Sequence, residues 1–148
     1  MHDLSVQVGK VMRRRWAQLE MDDDLWKVRE LFQGLRTHHM LVIENEELVG
    51  VISDRDLLRA ISPYLGSISE QTRDRATLDK RAHHIMTRDV CTITASRTLR
   101  EAVRLFLERD ISCLPVIVPG SMKVEGMLTR KDVLRWLVSD ETGAAHAA

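Results

Sequence analysis

Gly50-Val51-Ile52-Ser53-Asp54-Arg55-Asp56 and Gly126-Met127-Leu128-Thr129-Arg130-Lys131-Asp132 are two copies of one pattern: a glycine, two apolar residues, a hydroxyl, two spacers of which at least one is basic, and an aspartate. A short apolar run such as Leu48 to Ile52 suits a buried strand, and a hydroxyl followed three residues later by a carboxylate is the capping-box start of a helix. In each copy, then, a strand ends where a helix begins. At such a corner the free backbone N–H groups and the positive end of the helix dipole face outward, a place suited to phosphate. The aspartate one turn on is placed to accept hydrogen bonds from a sugar diol. A single S/T-x-x-D is usually no more than a cap, contributing about 1 kcal/mol. What points further is the recurrence of the whole pattern at matching places.

The repeat extends well beyond the corners. With Met12 set against Met86, Leu19 meets Ile93, Leu25 meets Leu99, Leu31 meets Leu105, Phe32 meets Phe106 and Val42 meets Val116 without a gap. The second copy then carries two extra residues around Pro119-Gly120-Ser121, so that Gly50 meets Gly126 and Asp56 meets Asp132. A two-residue slip in a Pro/Gly loop is what a hairpin tip tolerates.

Each copy reads β-α-β-β-α, an α/β (α+β) chain of two tandem repeats over residues 8–62 and 82–138, with a linker over 63–81 and a disordered tail over 139–148. Residues 1–8 read as a lead-in, Val11-Met12 as a short packed turn, and Trp16 to Leu19 as a brief strand. Asp22 to Asp24 load the start of a helix with the negative charge its dipole favours, and Leu25, Val28, Leu31, Phe32 and Leu35 give that helix one apolar face. Met40 to Ile43 and Leu48 to Ser53 form a hairpin, and Asp54 to Ile61 a helix. In the second copy the strands are expected at Val90 to Thr94, Cys113 to Val118 and Val124 to Thr129, with helices over Leu99 to Glu108 and Lys131 to Val138. Pro115 cannot donate to a ladder, which predicts an edge on the proline side of its strand. The linker, with Pro63, Gly66 and the charged run Arg73-Asp74-Arg75, has little periodicity and room for short helices.

At 148 residues, 44% hydrophobic and 30% charged, the chain has the composition of a globular protein, and 22 basic against 22 acidic residues point to neither nucleic acid nor an anionic membrane. No apolar run approaches the roughly 20 residues of a membrane span and the N-terminus has no signal-peptide core, so the cytoplasm is expected. Cys91 and Cys113 match no zinc or redox spacing, and the adjacent pairs His38-His39 and His83-His84 make poor two-ligand clamps, so no metal is expected. Arg13-Arg14-Arg15 stands without interleaved aromatics, which favours a solvated loop or a phosphate contact over nucleic acid. No nucleophile–base set, paired catalytic carboxylates or P-loop is visible, so the chain is not read as an enzyme.

These features together resemble the CBS domain (named after cystathionine β-synthase) in tandem, the pair called a Bateman module, of the stand-alone prokaryotic type. The resemblance covers residues 8 to 138 and rests on the element order, Met86-Thr87-Arg88-Asp89, Cys113-Leu114-Pro115-Val116 and the two G-h-h-[S/T]-x-x-D motifs. It implies two halves packed by their sheets about a pseudo-twofold axis, leaving two clefts for adenosine-containing ligands such as AMP, ADP, ATP, NAD or S-adenosylmethionine. By position, Asp56 and Asp132 would hold ribose hydroxyls and Ser53 and Thr129 contact phosphate, with Arg55, Arg130 and Lys131 as phosphate partners. The adenine would lie near Ile111 and Cys113 in the second repeat and near Thr37 and His39 in the first. Thr87 and Cys91, with Arg13 and Ala17 at the matching places of the first repeat, would line the other wall. Arg13 stands where the family usually has threonine, and His39 is bulkier than its usual counterpart, so the first cleft is expected to be narrower or tuned to another ligand. The resemblance further implies a homodimer and an effector protein that responds to the occupied module. The alternative is a structural protein-interaction module with vacant clefts.

Overall fold

A computed structural model of the chain describes residues 3–139. The tail expected over 139–148 lies, from residue 140 onward, outside the described residues. The chain forms two compact units, and they are not cut at the linker. One is Ala17–Val90; the other joins the N-terminal residues through Trp16 to the chain from Cys91 onward. The leading segment of each sequence repeat thus belongs to the unit that holds the other repeat's sheet.

In the first unit, β1 (Gln18–Leu19) is followed by α1 (Leu25–Gly34), β2 (His39–Glu44), β3 (Glu47–Ser53) and α2 (Asp54–Ala60). The sheet has the order β1-β2-β3, parallel between β1 and β2 and antiparallel between β2 and β3. The hairpin closes on Asn45 and Glu46 at φ 50° and 67°, the left-handed pair that matches strand twist in a two-residue turn. Asp24, the last of the three expected acidic residues, is the one that caps α1, accepting from Lys27 N–H at 3.0 Å. Leu25 and Val28 on α1 pack with Leu19, Met40, Val42, Ile52 and Leu57 into one core.

The linker contributes to that core. It contains α3 (Thr72–Ala76) and a 3-10 turn (Thr77–Asp79) that buries Leu78 completely, and α4 (Ala82–Ile85) follows it. Little periodicity shows in sequence because the segment is anchored by one leucine and one buried carboxylate. Asp74 accepts from Gln71 N–H at 2.7 Å and Ser62 hydroxyl at 2.8 Å. The Gln71 bond first and the Ser62 bond second hold its carboxyl below its ordinary value of 3.8. Because the native value is depressed, its contribution is complete above the unfolded value and is lost as pH falls through the native one. Asp74→Asn is therefore expected to lower the melting temperature at pH 7, with the gap to the parent narrowing as pH falls below about 4. A gap independent of pH would refute that role.

The second unit repeats the plan with β4 (Ile93–Thr94), α5 (Leu99–Arg109), β5 (Cys113–Ile117), β6 (Val124–Thr129) and α6 (Arg130–Leu137). Its sheet has the order β4-β5-β6, and its register shifts at Val116/Ile117, the counterpart of the shift at Val42/Ile43 in the first sheet. The two extra residues fall in the hairpin tip, where Val118 N–H reaches Lys123 carbonyl at 2.9 Å and Gly120 takes φ 75°. Pro115 corrects an expectation, since β5 is the middle strand of its sheet rather than an edge. β4 pairs only at Val116 and Ile117, so the proline lies just beyond the ladder on that side. In the first unit the matching Leu41 N–H donates to Ala17 carbonyl at 3.0 Å; proline has no N–H to give.

Of the expected lead-in, the described residues 3–8 do more than lead in. Val8 has 0% exposure and joins Leu99, Phe106, Leu114, Val116, Leu128 and Val133 in the second core, with Leu4 and Val6 packed against it. Val8 N–H donates to Arg97 carbonyl (2.8 Å), Gly9 N–H to Ala95 carbonyl (2.9 Å), Leu99 N–H to Val6 carbonyl (2.8 Å) and Arg100 N–H to Leu4 carbonyl (2.9 Å). A helix start and a strand end are thereby satisfied by a segment distant in sequence.

Candidate functional site

Both strand-to-helix corners close as capping boxes. Ser53 N–H donates to Asp56 Oδ2 at 2.8 Å and Asp56 N–H to Ser53 Oγ at 3.1 Å. In the other unit Thr129 N–H and Thr129 Oγ1 both donate to Asp132 Oδ2 at 2.9 Å, and Asp132 N–H donates to Thr129 Oγ1 at 3.2 Å. The box uses one carboxylate oxygen and leaves the other, Oδ1, for something else.

The glycine that opens each motif has a steric cause. A Cβ on Gly50 would meet Met86 Sδ at 2.6 Å, and one on Gly126 would collide with Met12 Sδ and sit 2.9 Å from Arg13 carbonyl. Two methionines that align in the repeat thus lie across two glycines that align in the repeat. The residue after each methionine then pairs with the motif's strand. Thr87 exchanges backbone hydrogen bonds with Val51 at 2.9 and 3.1 Å, and Arg13 does so with Met127 at 2.9 Å in both directions.

This pairing sorts the wall residues by unit. Thr87 falls in the unit that holds the Ser53/Asp56 corner, as do Ala17, Thr37, His39 and Arg55, whereas Arg13 falls in the unit that holds the Thr129/Asp132 corner, as do Cys91, Ile111, Cys113, Arg130 and Lys131. A reading by repeat alone puts Thr87 and Arg13 the other way round, because it carries no information about which sheet a leading segment joins.

The two corners differ in their polar partners. Arg13 Nε donates to Asp132 Oδ1 at 2.7 Å, with Arg135 Nη1 3.6 Å from the same oxygen, and the aspartate side chain is only 6% exposed. At the other corner Asp56 is half-buried, and its Oδ1 has no partner among the described residues. Arg130, expected to face phosphate, instead donates through Nε to Ile111 carbonyl at 2.8 Å and lies 3.4 Å from Asp110 Oδ1, tying the end of α5 to the start of β5. Its counterpart Asp54 is paired with His38 Nδ1 at 2.8 Å. Arg55 and Lys131 are exposed and have no partner among the described residues.

Of the four residues expected beside adenine, Cys113 is buried and Thr37, His39 and Ile111 are partly buried. Cys113 is buried, and that burial first and the charge of Asp132 second push its thiol up to about 12, so it is a neutral packing group. Burial also holds His39 below its ordinary 6.5 despite the opposing pull of Asp54, so its ring is neutral at pH 7. Thr37 hydroxyl donates to His39 carbonyl at 2.9 Å and fixes the entry to β2. The other histidine pair is structural as well: Arg81 N–H donates to His84 Nδ1 at 2.9 Å, capping α4. Among the described residues no three His, Cys, Asp or Glu side chains gather as metal ligands, and no helix is long and apolar enough to cross a membrane.

The CBS domain profile matches residues 8–63 and 82–139, both repeats. The chain belongs to the CBS domain family. Among solved structures of that family, CBSX2 in complex with AMP is 30% identical with a TM-score of 0.74, covering 89% of this chain and 96% of that one. The CBS domain pair of protein MJ0100 in complex with 5′-methylthioadenosine and S-adenosyl-L-methionine shares the fold at 19% identity and a TM-score of 0.73, over 89% and 95% of the two chains. Sequence relatives include homoserine O-acetyltransferase of Methanosphaera stadtmanae, 32% identical over 83% of this chain and 22% of that protein. The uncharacterized protein MJ1232 of Methanocaldococcus jannaschii is 27% identical over 88% of this chain and 39% of that one. The CBS chain therefore spans less than half the length of these relatives.

Proposed function

We propose that this CBS pair is a regulatory module that binds an adenosine-containing ligand at its strand-to-helix corners and passes the occupancy on to an effector protein. The carrying observation is the duplicated corner, in which a capped carboxylate keeps Oδ1 outside the capping box and directly follows an exposed basic residue in sequence, Arg55 or Lys131. The 30% identity to a chain in complex with AMP supports the same reading. Asp56 and Asp132 hold the ribose; Ser53, Thr129, Arg55 and Lys131 face the phosphate; Thr37, His39, Ile111 and Cys113 flank the base. Ala17, Cys91, Thr87 and Arg13 form the opposite wall, and the module acts by binding, not catalysis. Leu58 on α2 and Leu134 on α6 take matching places in the two repeats and both are exposed, which supports a homodimer built on these helices.

Thermal unfolding with AMP, ADP, ATP, NAD and S-adenosylmethionine tests the proposal. A ligand present at 100 times its dissociation constant stabilises the chain by about 2.7 kcal/mol. At least one compound is expected to raise the melting temperature, with the shift reduced in Asp56→Ala or Asp132→Ala. No shift with any of them would favour the structural interaction module, a reading that the Arg13 contact on Asp132 favours at one corner.

A further inference from the structure

We propose that Arg13 makes the Asp132 corner selective for adenosine ligands that carry phosphate. This rests on the reading that Asp132 takes a ribose diol. Of that carboxylate's two oxygens, Oδ2 is held by Thr129 through both its backbone N–H and its hydroxyl at 2.9 Å. Oδ1 is the oxygen left for a diol, and Arg13 Nε already occupies it at 2.7 Å. The Asp132 side chain is 6% exposed and the Arg13 side chain 39% exposed, so the carboxylate is dry while the guanidinium is anchored at one nitrogen and otherwise reaches solvent.

A ligand that enters must therefore take Oδ1 from a cation. A neutral nucleoside does so by leaving the guanidinium beside the site with no counter-ion. A nucleotide offers phosphate oxygens in exchange, and guanidinium suits them as a planar donor of charge-assisted hydrogen bonds. The exchange is short in distance. Arg13 touches Asp132, Asp132 touches Thr129 Oγ1, and Thr129 is the residue proposed to face the phosphate. Other charges near this corner add to the preference: Lys131 is exposed without a partner among the described residues, and Arg135 lies 3.6 Å from Asp132 Oδ1. The Asp56 corner provides the contrast within the same chain. There the residue matching Arg13 is Thr87, bound to Val51 by the same pair of backbone hydrogen bonds, and Asp56 Oδ1 is open among the described residues. Arg13 is thus a substitution of side chain on an unchanged backbone arrangement, and Arg13→Thr converts one corner to the chemistry of the other.

The test compares AMP with adenosine by titration calorimetry on the full chain carrying Asp56→Ala, which silences the other corner. AMP is expected to bind about 10- to 100-fold tighter than adenosine, the range of one or two charge-assisted hydrogen bonds. Adding Arg13→Thr is expected to weaken AMP, tighten adenosine and reduce the ratio by about tenfold or more. Arg13→Lys keeps a cation on the same backbone and is expected to retain most of the preference, whereas a merely structural arginine would weaken both ligands alike in either variant. An unchanged AMP-to-adenosine ratio in Arg13→Thr would overturn the proposal. AMP binding that survives Asp132→Ala on the same background would sink the ribose assignment instead. If neither compound binds the background chain, the inference falls together with the reading beneath it.

Discussion

Removal of residues 1–12 is expected to unfold the β4–β6 unit and to leave the β1–β3 unit standing. The deletion takes away Val8, which has 0% exposure in that core, together with the packing of Leu4, Val6 and Met12. Burial of a valine alone contributes about 1.5–3 kcal/mol. The N–H groups of Leu99 and Arg100 lose the Val6 and Leu4 carbonyls, and the carbonyls of Ala95 and Arg97 lose their donors. Each lost hydrogen bond costs about 0.5–1.5 kcal/mol. Together these losses approach the whole stability of a small domain, about 5–15 kcal/mol. The β1–β3 unit draws none of its core from this segment. Amide hydrogen exchange followed by mass spectrometry reads the result: protection should vanish over Cys113–Ile117 and Val124–Thr129 and persist over His39–Glu44 and Glu47–Ser53. Equal protection of both sheets in the shortened chain would show that the N-terminal segment is dispensable.

The motif glycines should behave as an unequal pair. Gly50→Ala and Gly126→Ala are each expected to destabilise by about 1–3 kcal/mol, since each forces a methyl group into a filled space. The contacts around a Cβ at Gly50 all belong to the Met86 side chain, at 2.6, 2.8 and 3.0 Å. At Gly126 one of them is the Arg13 backbone carbonyl at 2.9 Å, which cannot swing aside because Arg13 is bonded to Met127 in both directions. Combining Gly50→Ala with Met86→Ala should therefore cost clearly less than the two changes summed, whereas Met12→Ala should rescue Gly126→Ala only in part. Denaturant unfolding of the two double-mutant cycles measures the coupling. Coupling of equal size in both would mean that the methionine, and not the backbone, sets the clash at each site.

The boundaries expected from sequence fall close to those of the structure, and the errors have causes. The helix expected over Leu99 to Glu108 spans Leu99–Arg109, and the one expected over Lys131 to Val138 spans Arg130–Leu137, because capping residues Thr98 and Thr129 are local signals. The short strands are shorter than the pattern predicts: the one expected over Trp16 to Leu19 spans Gln18–Leu19, and the one expected over Val90 to Thr94 spans Ile93–Thr94. Strand length depends on the partner, which a local pattern does not show. A proline that lacks a donor predicts an edge at Pro115 on equally local grounds; what decides its neighbours is the register of β4, set by residues that are remote in sequence. Arg130 and Arg13 exchange character for a related reason. Both read as basic residues near a corner, and only the fold shows one held by Ile111 carbonyl and the other laid on Asp132.

The element order, the capped corners and the pairing of each aspartate with a hydroxyl three residues before it were determined by sequence alone, because each depends on residues within one turn or one hairpin of each other, and the duplication was legible because those local patterns recur in the same order. Tertiary structure alone decided which leading segment joins which sheet, why the motif glycines admit no Cβ, and that Asp132 but not Asp56 carries an arginine. Those depend on contacts between residues remote in sequence, from Gly50 with Met86 to Arg13 with Asp132, where burial and steric exclusion select the partner and no local pattern records the choice.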